Sequence, residues 1–363
     1  MWVRQEIQAL SWKIIKIFYI QYYITERIEM EFGVFDHLDS RDGAFIETIY
    51  QERLKLIVEY ENSGITHYHL AEHHATPLGL SPSPSVFLAA ISQLTKNMKF
   101  GPMVYCLPLY DPLRLISEIC MLDQLSKGRF EFGIGRGISP YEVAFFNIDI
   151  DNAREIYTEV FDILMQGLKN RELTYQGKYF SYNSVPMILK PKQYPHPPLW
   201  YGIGAPQGVK WPAENGINII SNASCEIARE STDRYKDIWL ANFGENNALP
   251  KMGVARHIYI GESDFEANKI CQRAYSAWYS NFMNLWRRNN VNPDVYPPDY
   301  KDALRKDIVI AGKPETVTNE IKRQIDEAGL NYFVCRFAFG DLSYKESLSS
   351  LTLFKELVLP NFQ

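Results

Sequence analysis

The chain has 363 residues, 46% of them hydrophobic, enough apolar material for a sizeable core. Lys and Arg total 38 against 43 Asp and Glu, a net charge of −5 with no basic block, which argues against a nucleic-acid binder. Gly (21) and Pro (20) stand at ordinary counts, which excludes collagen-like and disordered classes. Length alone leaves two readings open: two domains of ~150 residues, or one α/β barrel of 250 or more.

Residues 1–29 stand apart. Residues 10–24 are aromatic and Ile-rich, but Lys13 and Lys16 interrupt them. The stretch is shorter than the ~20 residues that span a bilayer, and it lacks the small-residue cleavage site of a secretory signal. It reads as an extension upstream of a start at Met30, with a peripheral amphipathic helix as the competing reading. No membrane span is expected.

From Met30 on, apolar and β-branched runs predict strands at 31–35, 66–71, 99–106, 129–134, 199–203, 218–221, 255–260 and 332–338. Helical patterns lie between them. The clearest cover 48–61, 113–125 (ending at Ser126-Lys127-Gly128), 314–328 (opened by Pro314, closed by Gly329) and 344–357. Strands alternating with helices predict a single (β/α)8 TIM barrel, with a doubly wound sheet as the competitor. Residues 169–197 and 283–309 fall outside the count and read as insertions, of the kind that cover active sites. The barrel domain is read as residues 30–363.

Cys106, Cys120, Cys225, Cys271 and Cys335 are odd in number, far apart and free of any CxxC pair. They predict neither a disulfide framework nor a structural zinc site, and they suit a reducing cytoplasm. The aromatics (Trp 7, Tyr 23, Phe 20) are abundant; they fit a bulky core or the wall of an apolar pocket.

The densest chemical cluster is His67-Tyr68-His69-Leu70-Ala71-Glu72-His73-His74, at the end of the second predicted strand. Strand alternation puts His67, His69 and Ala71 on one face. Glu72, His73 and His74 then sit at the C-terminal strand end, where barrel enzymes keep catalytic groups. Three readings stay open: a metal site through His67 and His69, proton transfer by a histidine that Glu72 orients, or structural hydrogen bonding. A metallohydrolase would need further ligands at later strand ends, and only His196 and His257 lie downstream. No metal is expected.

Gly133-Ile134-Gly135-Arg136-Gly137 could bring backbone amides and a guanidinium to an anion, or could be a tight turn. Gly204, Ala205 and Gly208 follow another strand and would leave a helix N-terminus bare for a phosphate. Residues 101–112, with Pro102, Pro108 and Pro112 around Met103-Val104-Tyr105, read as a strand running into a rigid loop.

Taken in order, these pieces resemble the flavin-dependent luciferase-like monooxygenase superfamily, which includes bacterial luciferase. The specific elements are Ala71-Glu72-His73-His74, the run from Met121 to Gly137 (MLDQLSKGRFEFGIGRG) and Trp211-Pro212-Ala213-Glu214-Asn215-Gly216. Phe35-Asp36-His37, Thr76-Pro77-Leu78-Gly79 and Ala338-Phe339-Gly340-Asp341-Leu342 resemble one group within it. The resemblance runs from residue 30 to about 360.

It implies a (β/α)8 barrel that takes reduced FMN from a separate flavin reductase and uses O2 to oxygenate a small apolar organic substrate. It also implies a homodimer. By position, His73 matches the catalytic acid/base histidine, and Glu72 a carboxylate that orients His73 or the flavin. Arg136, between Gly135 and Gly137, matches the FMN phosphate ligand. Met103 and Val104 match a non-proline cis peptide beneath the flavin ring. Gly204, Ala205 and Gly208 match the phosphate turn, where luciferase carries Glu, Ser and Thr, so backbone amides carry more of that contact here. Glu142 matches a pocket carboxylate, and Trp278 an aromatic near the flavin. Gly135 stands where luciferase has a reactive cysteine, so light emission is not implied and a roomier flavin environment is expected. The competing expectations are a deazaflavin-dependent oxidoreductase of the same superfamily, a non-catalytic flavin-binding subunit and a metal-dependent barrel hydrolase.

Overall fold

A computed structural model describes residues 30–363, so the extension expected at 1–29 lies outside the described residues. The chain begins β1 (Glu31–Asp36), α1 (Ile46–Asn62), β2 (His67–Leu70), α2 (Pro84–Leu94), β3 (Lys99–Pro102), β4 (Tyr105–Cys106) and α3 (Pro112–Leu125). It continues β5 (Phe132–Gly135), α4 (Pro140–Phe145), α5 (Ala153–Lys169), β6 (Glu172–Gln176), β7 (Ser181–Pro186), β8 (Leu199–Ile203), α6 (Lys210–Glu214) and β9 (Asn218–Ser221). Then come α7 (Cys225–Phe243), β10 (Met252–Ile260), α8 (Asp264–Phe282), α9 (Asn284–Arg288), α10 (Tyr300–Arg305) and β11 (Val309–Gly312). The chain closes with α11 (Pro314–Ala328), β12 (Tyr332–Arg336) and α12 (Tyr344–Leu353).

The main sheet runs β3-β2-β1-β12-β10-β9-β8-β5-β4, with parallel pairing throughout. β3 and β4 are halves of one stave broken at Met103-Val104. A parallel bridge from Phe100 to Phe130 closes the sheet between β3 and the chain entering β5. The result is a barrel of eight staves, with helices packed outside. Parallel staves are covered on both faces, which is why β10 is buried along its whole length.

Local signals set the helix ends. Proline occupies the first turn of α2, α3, α4 and α11, where its missing N–H costs nothing. Gly329 ends α11 in the left-handed region at φ 63°. Ser343 and Glu346 form a capping box at the start of α12.

The barrel interior explains His67 and His69. Their rings stack 6.0 Å apart, and both meet Trp200 and Tyr332 edge-on. His69 Nε2 lies 2.8 Å from the Tyr332 hydroxyl, and Trp200 Nε1 donates to Glu131 at 2.6 Å. These side chains fill the barrel. Among the described residues, no group of three or more His, Cys, Asp or Glu is placed to hold a metal ion.

The insertions differ from the expectation in detail. Residues 169–197 contain an antiparallel hairpin, β6 with β7. The second excursion starts before residue 283: it leaves the barrel at Gly261 and returns at Pro314. It opens with α8, which is buried through Ala267, Cys271, Ala274, Tyr275, Trp278 and Phe282 at helical spacing. It also supplies β11, which pairs with the upper half of β10 and had no counterpart among the predicted strands. No helix among the described residues is long and apolar enough to cross a membrane.

Candidate functional site

β2 leaves its ladder at Leu70, and the next four residues fold over the barrel mouth. Glu72 is buried, and both its oxygens are engaged. Oε1 lies 2.8 Å from His74 Nε2, and Oε2 accepts the Cys106 N–H (3.0 Å) and the Tyr110 hydroxyl (2.9 Å). His73 turns the other way, with Nδ1 3.2 Å from Glu142 Oε1. The second oxygen of Glu142 accepts the His74 N–H at 2.7 Å. Of the two roles expected of Glu72, orienting His73 or the flavin, the first is corrected: Glu142 holds His73, and Glu72 holds His74. Adjacent side chains leaving a strand end diverge, so each histidine finds a different carboxylate. Glu142 is fixed in turn by α4, whose N-cap Ser139 accepts the Glu142 N–H.

These groups open onto a cavity of about 560 Å³, within the ~300–1,000 Å³ usual for organic ligands. Its floor is Met103 and Val104, joined by a cis peptide bond. Its rim carries Arg136, exposed and without an ion-pair partner among the described residues, beside Gly135 and Gly137. Gly137 sits at φ +86°, a conformation side-chain-bearing residues rarely adopt. Gly135 does not leave extra room: a Cβ there would meet Val104 Cγ2 at 2.4 Å. The roomier flavin environment expected of Gly135 is corrected, because Val104 fills that space.

Gly204 lies on the rim, but Ala205, Gly208 and Trp278 are not on the cavity wall. The turn after β8 is a 3-10 stretch, Pro206–Val209, that leads into the five-residue α6 rather than a long helix. The Gly208 N–H already donates to the Ala205 carbonyl at 3.0 Å. Trp278 is fully buried in the excursion, packed on His257 (ring centroids 4.3 Å) and on His37 (6.2 Å). His37 in turn lies 5.6 Å from the His73 ring, so Trp278 stands one layer behind the cavity. Burial, then the charges of Arg336 and His73, holds the His37 imidazole neutral by pulling its pKa well below the usual histidine range.

The sequence reading passed over Tyr110, Cys106 and Asn222. Asn222 had a usable signal, since it follows the predicted strand 218–221 at its C-terminal end. A larger groove of about 810 Å³ between β10, α8 and α12 holds none of these groups, and an Arg273–Glu346 ion pair crosses it.

Asp39 lies behind the same mouth. Burial raises its pKa from 3.8 to about 7, against hydrogen bonds from Gly340 N–H and Asn281 that lower it. The folded form therefore keeps a proton that the unfolded chain releases near pH 4. Between about pH 4 and 7 this group makes stability fall as pH rises, and above 7 its contribution is flat. Thermal melts from pH 4 to 8 should show that fall shrink in Asp39→Asn; an identical pH dependence in both proteins would refute it.

A model of the luciferase-like monooxygenase family matches residues 30–332. The chain belongs to that family. Its relatives include the uncharacterized protein y4wF of Sinorhizobium fredii, 38% identical over 91% of this chain and 97% of its own. Among solved structures, the monooxygenase RslO1 of Streptomyces bottropensis shares the fold at a TM-score of 0.83, with 21% identity over 92% of this chain and 100% of its own. The oxygenating constituent of Pseudomonas putida 3,6-diketocamphane monooxygenase, in complex with FMN, has a TM-score of 0.78 and 20% identity, covering 91% and 98% of the two chains. The coenzyme F420-dependent tetrahydromethanopterin reductase of Methanopyrus kandleri has the same fold at 0.67, with 19% identity over 92% and 100%. The same fold therefore serves an enzyme solved with FMN and one that depends on coenzyme F420.

Proposed function

We propose that this protein is an FMN-dependent monooxygenase that uses reduced FMN and O2 to oxygenate a small organic substrate in the cytoplasm. A separate flavin reductase supplies the reduced cofactor, and two copies of the barrel domain, residues 30–363, form a homodimer. The observation that carries this reading is one cavity holding both a carboxylate-fixed histidine and an unpaired arginine beside glycine backbone, above an apolar floor.

The residues present fit a flavin phosphate and ring. Arg136, with the backbone of Gly135 and Gly137, would hold the phosphate, while Met103 and Val104 would support the ring. When bound, the reduced flavin supplies the electrons for dioxygen chemistry. The rest is the chain's own work. Glu142 accepts at His73 Nδ1, which leaves Nε2 free to take or give a proton. Ile134, Ile203, Ile220 and Leu109 wall the cavity with apolar surface and exclude water.

Fluorescence titration tests the reading: the protein should bind FMN, and its oxygen uptake with reduced FMN should respond to an aldehyde, ketone or alkane. No binding up to millimolar FMN would overturn it. Arg136→Ala should weaken FMN about tenfold through the loss of one charge-assisted phosphate contact, and should barely affect riboflavin, which lacks the phosphate. Equal losses for the two ligands would remove Arg136 from the phosphate site.

A further inference from the structure

Arg336 ends β12 and is 1% exposed. Its guanidinium reaches past β10 to β9, where Nη2 donates to Asn222 Oδ1 at 2.6 Å. Its Cζ stands 4.8 Å above the Phe35 ring, and the Tyr296 hydroxyl is within hydrogen-bond reach. Its Nε has no partner, and among the described residues no carboxylate lies within ion-pair distance. Asp39 is engaged with Gly340 and Asn281. Of the two other buried guanidinium groups, Arg53 faces Asp36 at 3.4 Å, and Arg256 is met by Gln324 Oε1 and by the carbonyls of Ala255 and Ala223. Beside Arg336, both ring nitrogens of His257 and the Trp278 indole nitrogen are also buried without partners. A buried, unpaired cation is unfavourable unless an anion or a strong acceptor completes it.

Asn222 connects this charge to the cavity. A guanidinium has only donors, so the Asn222 oxygen must face it, and the amide nitrogen is then the end left over. That nitrogen has no partner among the described residues, and Asn222 lines the cavity, as does Phe35. Around the barrel, β9 stands diametrically opposite β2, so Asn222 faces His73 across the mouth. The Met103-Val104 floor lies on the β2 side. A molecule between that floor and the far wall meets a polarised amide backed by a positive charge.

We propose that Asn222, positioned by Arg336, is a subsite for a carboxylate on the substrate. The inference rests on the function proposed above and narrows its substrate class to an apolar organic body that carries an anionic oxygen pair. Asn222 Nδ2 donates to one carboxylate oxygen, and the guanidinium behind it supplies the attraction. Recognition leaves the reacting end of the molecule toward His73.

The test is calorimetric titration of the full chain, with FMN present, using benzoate and benzyl alcohol as matched probes. Benzoate should bind about tenfold tighter than the alcohol, the scale of one hydrogen bond to a charged group. Asn222→Asp puts a carboxylate against Arg336, which pairs the buried charge and preserves the fold; it should abolish the benzoate preference. Arg336→Lys keeps the charge but loses the planar fork, and should erase most of the preference. Lumiflavin, a flavin ring without phosphate, should bind both variants as it binds the unaltered chain. Equal binding of the two probes, benzoate binding that survives Asn222→Asp, or lumiflavin binding that falls in parallel would each overturn the proposal. Failure of the unaltered chain to bind FMN would sink the proposed function instead, so the two failures are distinguishable.

Discussion

His73→Ala lowers turnover by about 100-fold or more, the scale of a positioned general acid or base. The geometry gives this effect a signature. His73 Nδ1 faces Glu142, so the working nitrogen is Nε2, and removal of the imidazole takes that nitrogen out of the cavity while Glu142 keeps its bond to the His74 N–H. Glu142→Gln keeps the shape but loses the carboxylate that holds His73 Nδ1, and should cost about tenfold in turnover. Glu72→Gln is the informative contrast. Its two oxygens accept from Cys106, Tyr110 and His74, so an amide there turns a donor against donors. The expected cost is about 1–3 kcal/mol of stability, read as a lower melting temperature, with a smaller effect on rate than Glu142→Gln. A rate at His73→Ala equal to the unaltered enzyme would exclude it from the chemistry. A larger rate loss at Glu72 than at Glu142, with the melting temperature unchanged, would return the orienting role to Glu72.

The contrast marks where sequence stops being legible. The barrel was readable because its staves are apolar runs between turn signals, and β8 and β9 fall where the runs at 199–203 and 218–221 put them. α11 matches 314–328 because Pro314 and Gly329 punctuate it chemically. β11 was missed because its four residues straddle the end of the insertion read at 283–309 and gain their strand only by pairing with β10. The cluster at 67–74 was visible as a density of histidine, but its partners lie far off in sequence. Glu142 reaches His73 across 69 positions, and Tyr332 reaches His69 across 263. No local pattern encodes those distances. Nor could spacing separate His67 and His69, which fill the barrel, from His73, which faces the cavity. The division follows from the strand ending at Leu70, so that two histidines remain in the ladder and two leave it.

Gly135→Cys places luciferase's residue in this chain, and the structure predicts that it does not fit. β5 holds residue 135 in register with Cys106 on β4, so the backbone has little freedom to retreat. The new Cβ would lie 2.4 Å from Val104 Cγ2 and 3.3 Å from Val104 Cβ. Valine is stiff at χ1, so the methyl cannot rotate away without displacing the other branch. The expected result is a loss of about 1–3 kcal/mol from overpacking, seen as a lowered melting temperature, with FMN binding weakened because Val104 forms the cavity floor. The compensating change is Val104→Ala, which removes both branch methyls. The double variant should recover most of the stability, and the coupling between contacting residues should appear as a non-additive term of about 0.5–3 kcal/mol. If the double variant melts no higher than Gly135→Cys alone, Val104 is not what excludes the cysteine. If it recovers, glycine at 135 and valine at 104 are one packing choice: the floor of the cavity takes its bulk from the β3–β4 stave, and β5 leaves room for it.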